Sequence, residues 1–325
     1  MNAERILYQF PGQGSQYRGM GSDLVSEFPV ARDIYERASE VLGYDLARLS
    51  FEDPDGKLDQ TRYTQPALLA HQVACLAAFR SLAEAVEPFV AAGHSLGEYS
   101  ALVAAGALSL EEGVALVAER GRLMSEFGRG SMLATTLDMR DAQVLADKHF
   151  CAIGGCNLPQ QTVVAGRPED LQALAQDLES NYRGKRAIKL NTEGAFHTYL
   201  MVSAAEQFRL VLDEVEFRSL RFPVLSNYTG RLHVDDAGAV RSRLFFQLFN
   251  PVRWLTCMNW AFEAGVDTII EFGGGIGKGD GPAQKRPNLE SVARKSLKWF
   301  DHEAEYLAAI NVAGIRAAAE KLTDQ

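Results

Sequence analysis

Apolar residues fall into two rhythms along the chain. Short unbroken runs, Ile6-Leu7-Tyr8 and Pro88-Phe89-Val90-Ala91-Ala92, are bounded by polar residues or glycine, which predicts buried strands. Longer stretches predict helices: residues 98–105 directly after the second strand, 113–119 further on, and an apolar segment following Thr64-Gln65-Pro66-Ala67. Between Gly128 and about Asn191 the elements shorten. The pattern there predicts a strand over 132–137, a helix over 140–149, strands over 152–157 and 162–165, a helix over 168–178 and a strand over 186–190. That order, βαββαβ, is the order of a ferredoxin-like unit. Residues 289–322 read as mostly helical, and no internal repeat is visible.

At the junction of the second strand and its helix stands Gly93-His94-Ser95-Leu96-Gly97. A serine on such a sharp turn points its hydroxyl clear of the backbone, and flanking glycines let strand and helix approach without Cβ clashes. The next main-chain N–H, that of Leu96, then faces the oxygen of an attacked carbonyl at a helix N-terminus. This makes Ser95 the candidate nucleophile. The same five-residue pattern fits an α/β-hydrolase esterase, and in a chain with 28 glycines it also arises by chance.

Further segments narrow the choice. Phe10-Pro11-Gly12-Gln13-Gly14-Ser15-Gln16 follows the first strand, and Thr64-Gln65-Pro66-Ala67 precedes an apolar helix. Glu119-Arg120-Gly121 lies about seven helical turns beyond Ser95. Gly194-Ala195-Phe196-His197 and Asn250-Pro251-Val252-Arg253-Trp254 complete the series. In this order and spacing the chain resembles the malonyl-CoA:acyl carrier protein transacylases of fatty-acid and polyketide synthesis, over residues 7–272.

The resemblance implies an α/β fold. Residues 1–127 and 194–325 would form a large hydrolase-like domain with a parallel sheet and nucleophile elbow, and 128–193 an inserted ferredoxin-like subdomain, with the site in the gap. It implies that Ser95 carries the acyl group and His197 is its base. An imidazole can take the proton of a serine hydroxyl that is otherwise a poor nucleophile at neutral pH. The other five histidines, His71, His94, His149, His233 and His302, read as structural. The main-chain N–H groups of Gln13 and Leu96 would hold the oxyanion. Main-chain oxygen near Asn250 and Arg253 would orient the imidazole, Arg253 standing where many relatives carry glutamine. Arg120 would grip the free malonyl carboxylate in a two-pronged geometry that lysine cannot reproduce. The alternative for Arg120 is a helix-surface pair with Glu111, Glu112 or Glu119. Leu96 and Phe196 match malonyl-selecting relatives, whereas methylmalonyl-selecting ones tend to carry glutamine and serine; the ring of Phe196 removes room for an α-methyl. Asn157-Leu158-Pro159 resembles a family segment near the gap.

The implied reaction is a ping-pong transfer from malonyl-CoA to the phosphopantetheine thiol of an acyl carrier protein, with no metal and no cofactor beyond those two thiol carriers. Alternatives are an editing hydrolase, a transferase of another acyl group, or a non-catalytic partner in a synthase complex. Composition adds exclusions. With 47% hydrophobic residues in 325, the chain can bury a large core, and a net charge of −9 argues against nucleic acid. No run reaches the roughly 18 apolar residues a membrane span needs. Met1-Asn2-Ala3-Glu4-Arg5 lacks a signal-peptide pattern, which predicts a cytoplasmic protein. Cys75, Cys151, Cys156 and Cys257 lack paired spacing and read as reduced thiols. Arg183, Lys185, Arg186 and Lys189 read as a solvated positive face or an attraction for an acidic carrier.

Three features depart from the family pattern. Glu193, four residues before His197, could enter the cleft and meet Arg120. Residues 273–281 replace a Gly-Pro-Gly turn with a glycine-rich stretch lacking any nucleotide fingerprint, which predicts a flexible loop. The tail after it resembles the family poorly. These departures lean towards a free-standing polyketide enzyme.

Overall fold

The computed structural model describes residues 4–279 and 281–323; Met1, Asn2 and Ala3 of the N-terminal stretch and Asp280 of the glycine-rich loop lie outside them. The chain starts with β1 (Ile6–Phe10), then winds through α1 (Ser22–Glu27), α2 (Pro29–Leu42), α3 (Leu46–Phe51) and the long α4 (Thr61–Leu82). Next come β2 (Val90–Gly93), α5 (Gly97–Ala104) and α6 (Leu110–Phe127). The central stretch holds β3 (Ser131–Thr135), α7 (Met139–Lys148), β4 (Ala152–Leu158), β5 (Gln161–Gly166), α8 (Pro168–Asn181) and β6 (Ala187–Lys189). The remainder comprises α9 (Val202–Asp213), β7 (Val224–Ser226), β8 (Arg231–Leu232), α10 (Ala237–Gln247) and α11 (Trp254–Glu263). After these stand β9 (Thr268–Phe272), α12 (Glu290–Phe300), β10 (Glu305–Ala309) and α13 (Val312–Thr323).

Among the described residues, ten strands form two sheets. The larger has the order β10-β9-β1-β2-β7-β8 and is parallel except for β8, which closes an antiparallel hairpin with β7 at one edge. Both of its faces are covered, which explains why β1 and β2 read as continuous apolar runs rather than alternating ones. Tyr8, Phe10, Ile270 and Phe272 face the core beneath α4 and α6, while Leu7, Val90, Ala92 and Ile269 pack with Trp254, Met258, Leu289 and Leu297 of the α11–α12 side.

The smaller sheet is antiparallel, in the order β4-β5-β3-β6. One face packs on α7 and α8 through Leu133, Ile153, Val164, Leu145, Leu171 and Leu174. Met132 and Val163 belong instead to the main core. The two sheets are tied where Gly155 forms a parallel bridge with Val252, with Val252 N–H on Gly154 O and Cys156 N–H on Val252 O.

Two expectations change here. The tail is mostly helical, in α12 and α13, but between them stands β10, a strand the sequence pattern does not predict, which pairs in parallel with β9 along its whole length. The glycine-rich loop is pinned rather than free: Gly275 N–H donates to Ser15 O at 2.7 Å, and Ile276 bridges Arg286. Of the basic cluster, Arg183, Arg186 and Lys189 are exposed on or beside the edge strand β6.

Candidate active site

The elbow exists because its glycines remove two collisions. A Cβ on Gly93 would lie 1.8 Å from the Gly97 carbonyl carbon, and one on Gly97 would lie 2.1 Å from Phe10 O. Between them Ser95 takes φ 53°, left-handed backbone that a serine adopts only when its surroundings compel it. Two side-chain amides do so. Asn227 Oδ1 accepts from Ser95 N–H at 2.6 Å, and Gln247 Nε2 donates to Ser95 O at 2.9 Å.

Ser95 and His197, distant in sequence, meet with Oγ and Nε2 2.7 Å apart. His197 Nδ1 stands 2.8 Å from Gln247 O. A carbonyl can only accept, so the ring proton sits on Nδ1 and the lone pair of Nε2 faces the serine hydroxyl. Burial pushes the imidazole pKa down to about 3, helped by the Arg120 charge and opposed by the Gln247 carbonyl. The ring is therefore neutral and ready to accept a proton.

The orienting carbonyl is not at Asn250 or Arg253. It belongs to Gln247, the last residue of α10. Asn250 donates to Phe246 O and closes α10, while Arg253 caps α11 with its main-chain N–H on Asn227 O and its side chain exposed.

Arg120, on α6, is 1% exposed. Its Nη1 donates to Gln65 Oε1 at 2.8 Å, and its Nη2 to Gln247 Oε1 at 3.1 Å and Ser95 Oγ at 3.3 Å. The guanidinium lies 5.2 Å from the Tyr99 ring centroid, and Nε has no partner. The helix-surface alternative fails because the glutamates are taken: Glu111 pairs with Arg37, Glu112 with Arg218 and Glu119 with Arg122. A buried cation held by neutral oxygens alone is electrostatically incomplete, and an anion entering beside it gains from low dielectric.

A cavity of about 370 Å³ opens over these groups, lined on the elbow side by Gly12, Gln13, His94, Leu96 and Arg120 and on the other by Met132, Gly154, Val163 and Phe196. Among the described residues, the main-chain N–H groups of Gln13 and Leu96 donate to no protein acceptor. Gln13 is steadied by its side chain, which donates to Thr61 Oγ1 at 3.0 Å. Leu96 and Phe196 are buried in the cavity wall. His94 and Asn157 also line it, joined at 2.9 Å, so His94 is a wall residue as well as a satisfied structural one.

Glu193 does not enter the cleft. Its Oε2 accepts from Thr61 N–H at 2.8 Å and Ser125 Oγ at 2.9 Å, which caps the start of α4. Burial works to raise its carboxyl, but the Thr61 and Ser125 hydrogen bonds outweigh it and hold the pKa below the ordinary glutamate value.

Sequence reading missed Gln247, Asn227 and the use of Gln65. The available signal was a lone amide inside an apolar stretch, as in Leu244-Phe245-Phe246-Gln247-Leu248-Phe249, because such an amide must find partners when buried. All three are at most 1% exposed.

A covered, mainly parallel sheet whose strand ends in an elbow serine bonded to an imidazole defines the class, an α/β protein of hydrolase-like build. Within it the chain belongs to the acyl transferase family, whose domain model matches residues 7–272. It is 38% identical over 280 residues to the malonyl CoA-acyl carrier protein transacylase of Bacillus subtilis, spanning 83% of this chain and 87% of that protein. It is 41% identical over 275 residues to the polyketide biosynthesis protein ThaF of Burkholderia thailandensis, spanning 82% of this chain but 23% of that one. The solved malonyl CoA-acyl carrier protein transacylase of Clostridium perfringens superposes with TM-score 0.88 at 31% identity, covering 98% of each chain. PlMCAT, a malonyl-transacylase solved with the type II PKS acyl-carrier protein AntF, does so with TM-score 0.88 at 33% identity, over 98% of this chain and 100% of that one. The likeness in fold thus extends through the tail that sequence reading set apart.

Among the described residues, no helix is long and apolar enough to cross a membrane, and no cluster of three or more His, Cys, Asp or Glu is placed to hold a metal ion.

Proposed function

We propose that the protein transfers a malonyl group from malonyl-CoA to the phosphopantetheine thiol of an acyl carrier protein. The observation that carries this is Arg120, a buried cation without a carboxylate partner whose Nη2 lies 3.3 Å from Ser95 Oγ. It suits an acyl group that ends in a carboxylate and whose thioester carbon reaches the serine.

His197 takes the Ser95 proton on Nε2 as Oγ attacks the thioester carbonyl. The negative oxygen is held by the N–H groups of Gln13 and Leu96, where losing one donor costs about a hundredfold or more in rate. The tetrahedral centre collapses, the C–S bond breaks, and the coenzyme thiolate takes the proton from the imidazolium. The malonyl-serine ester then meets the carrier thiol, which gives its proton to His197 and attacks in turn. Ser95 recovers its proton when the ester C–O bond breaks. These steps require no resident metal or redox group. Phe196 narrows the room at the α-carbon, a discrimination of about 1–3 kcal/mol per methyl.

In this reading, residues 1–127 and 194–325 supply the elbow and base, and 128–193 close the cavity from the other side. The same reading makes the protein a cytoplasmic enzyme. The alternative of an editing hydrolase or a transferase of another acyl group rests on Glu193, Arg253 and the altered tail; neither Glu193 nor Arg253 lines the cavity, whereas Asn288, Leu289 and Val292 of the tail do.

The test is labelling. Protein mixed with radiolabelled malonyl-CoA should carry label on Ser95, and holo carrier protein should remove it into a malonyl-carrier thioester. Absence of label, or release to water faster than to carrier, rejects the proposal.

A further inference from the structure

Behind the elbow lies a buried carboxylate that the steps above leave idle. Glu98, in the first turn of α5, is 0% exposed. Its Oε2 accepts from Asn227 N–H and from Gln247 Nε2, both at 2.9 Å, and its Oε1 faces His233 Nε2 at 2.8 Å. The side chains of Glu98 and His233 are both fully enclosed. His233 Nδ1 has no partner, which fits a proton carried on Nε2, because an unmet lone pair costs less than an unmet N–H.

Asn227 and Gln247 are the residues whose side chains grip the Ser95 main chain, one at its N–H and one at its carbonyl, which also accepts from Glu98 N–H at 3.2 Å. Gln247 also presents its main-chain oxygen to His197 and its side-chain oxygen to Arg120. Its amide can meet Arg120 with oxygen only if its nitrogen points the other way, and there the carboxylate and Ser95 O receive it. Glu98 thereby decides the orientation of that amide. Asn227 is set likewise, its main chain held by Glu98 and its side chain bridging Gly93 O and Ser95 N–H.

We propose that Glu98, clamped by His233, is a positioning residue that sets the register of nucleophile and base through Asn227 and Gln247. The inference rests on the reading of Ser95 and His197 as the reacting pair. A glutamine at 98 has one accepting oxygen where the carboxylate has two, and its NH2 must either face another donor or drive the His233 proton to Nδ1, where no acceptor stands, so a bond is lost or a buried N–H is left unmet. Release of the amides lets Ser95 relax from its left-handed backbone.

The experiment measures the rate at which Ser95 reacts with a neutral fluorophosphonate, per folded molecule, alongside the rate and half-saturation of malonyl loading. Glu98→Gln should slow both reactions by roughly 10- to 100-fold, with the half-saturation for malonyl-CoA changed little because Gln65 still holds Arg120. His233→Leu should show a similar loss, and His233→Gln, which keeps a donor towards Oε1, should recover part of it. A purely structural role would instead lower the melting temperature and leave the rate per folded molecule intact. Wild-type rates in folded Glu98→Gln overturn the inference. If that variant does not fold, equal rates for leucine and glutamine at 233 overturn it. Wild-type protein that reacts with fluorophosphonate yet takes nothing from malonyl-CoA rejects the proposed donor and leaves this assignment standing.

Discussion

At the scale of single residues the proposed reaction divides the work between a neutral base and a permanent cation. Burial holds His197 near a pKa of about 3. The imidazole therefore stays unprotonated on falling through pH 6.5, where an ordinary histidine would become charged and useless as a base. The rate of Ser95 acylation at low malonyl-CoA should stay flat from pH 7.5 to about pH 5. An acid limb with a midpoint near 6.5 would show that the ring titrates as an exposed one does. Arg120→Ala should cost malonyl-CoA at least about a hundredfold in kcat/KM and leave the slower acetyl-CoA reaction almost unchanged, because only the first substrate carries the anion the guanidinium pairs with. Ser95, His197 and Arg120 were legible because each sits in a local pattern whose chemistry depends on residue type. Gln247 was not, since its role rests on where α10 ends in space, and a carbonyl that every residue possesses leaves no trace in the alphabet.

Secondary structure elements carry the next level of argument. The elbow was visible because strand, glycines and helix are contiguous, and β3 to β6 because alternating apolar residues and turn signals come at short intervals. β10 was hidden. Glu305-Tyr306-Leu307-Ala308-Ala309 is made largely of residues that favour helices, and it becomes a strand only because β9 offers it an edge. Glu193 illustrates the same limit, since its place before His197 suggested the cleft while the fold uses it to cap α4. Glu193→Ala should therefore lower stability by about 1 kcal/mol, the usual worth of a helix cap. The ratio of malonyl to acetyl loading should not move; a shift in that ratio would return Glu193 to the substrate.

Across the whole molecule, buried ionisable groups of opposite habit make folding depend on pH. Glu271, at the end of β9, accepts from Asn288 N–H at 2.8 Å, Leu289 N–H at 3.0 Å and the Tyr306 hydroxyl, joining β9, β10 and the start of α12. Burial raises its pKa to about 7 against those hydrogen bonds. The folded protein thus holds a proton between about pH 4.5 and 7 that the unfolded chain has released, so this group's contribution is complete below pH 4.5 and is lost as pH rises through 7. His71 and His197, lowered by burial to about 4 and about 3, act in the opposite sense: their contribution is intact above pH 6.5 and is lost as pH falls. Replacing Glu271 with glutamine removes the first effect and keeps the second. In urea unfolding, the gap between wild type and Glu271→Gln should widen in favour of wild type by about 2–3 kcal/mol on going from pH 8 to pH 5, since groups common to both cancel in the difference. A gap that stays constant with pH would mean that the Glu271 carboxyl is ionised in the folded protein at neutral pH, with the two N–H donors and Tyr306 alone balancing its charge.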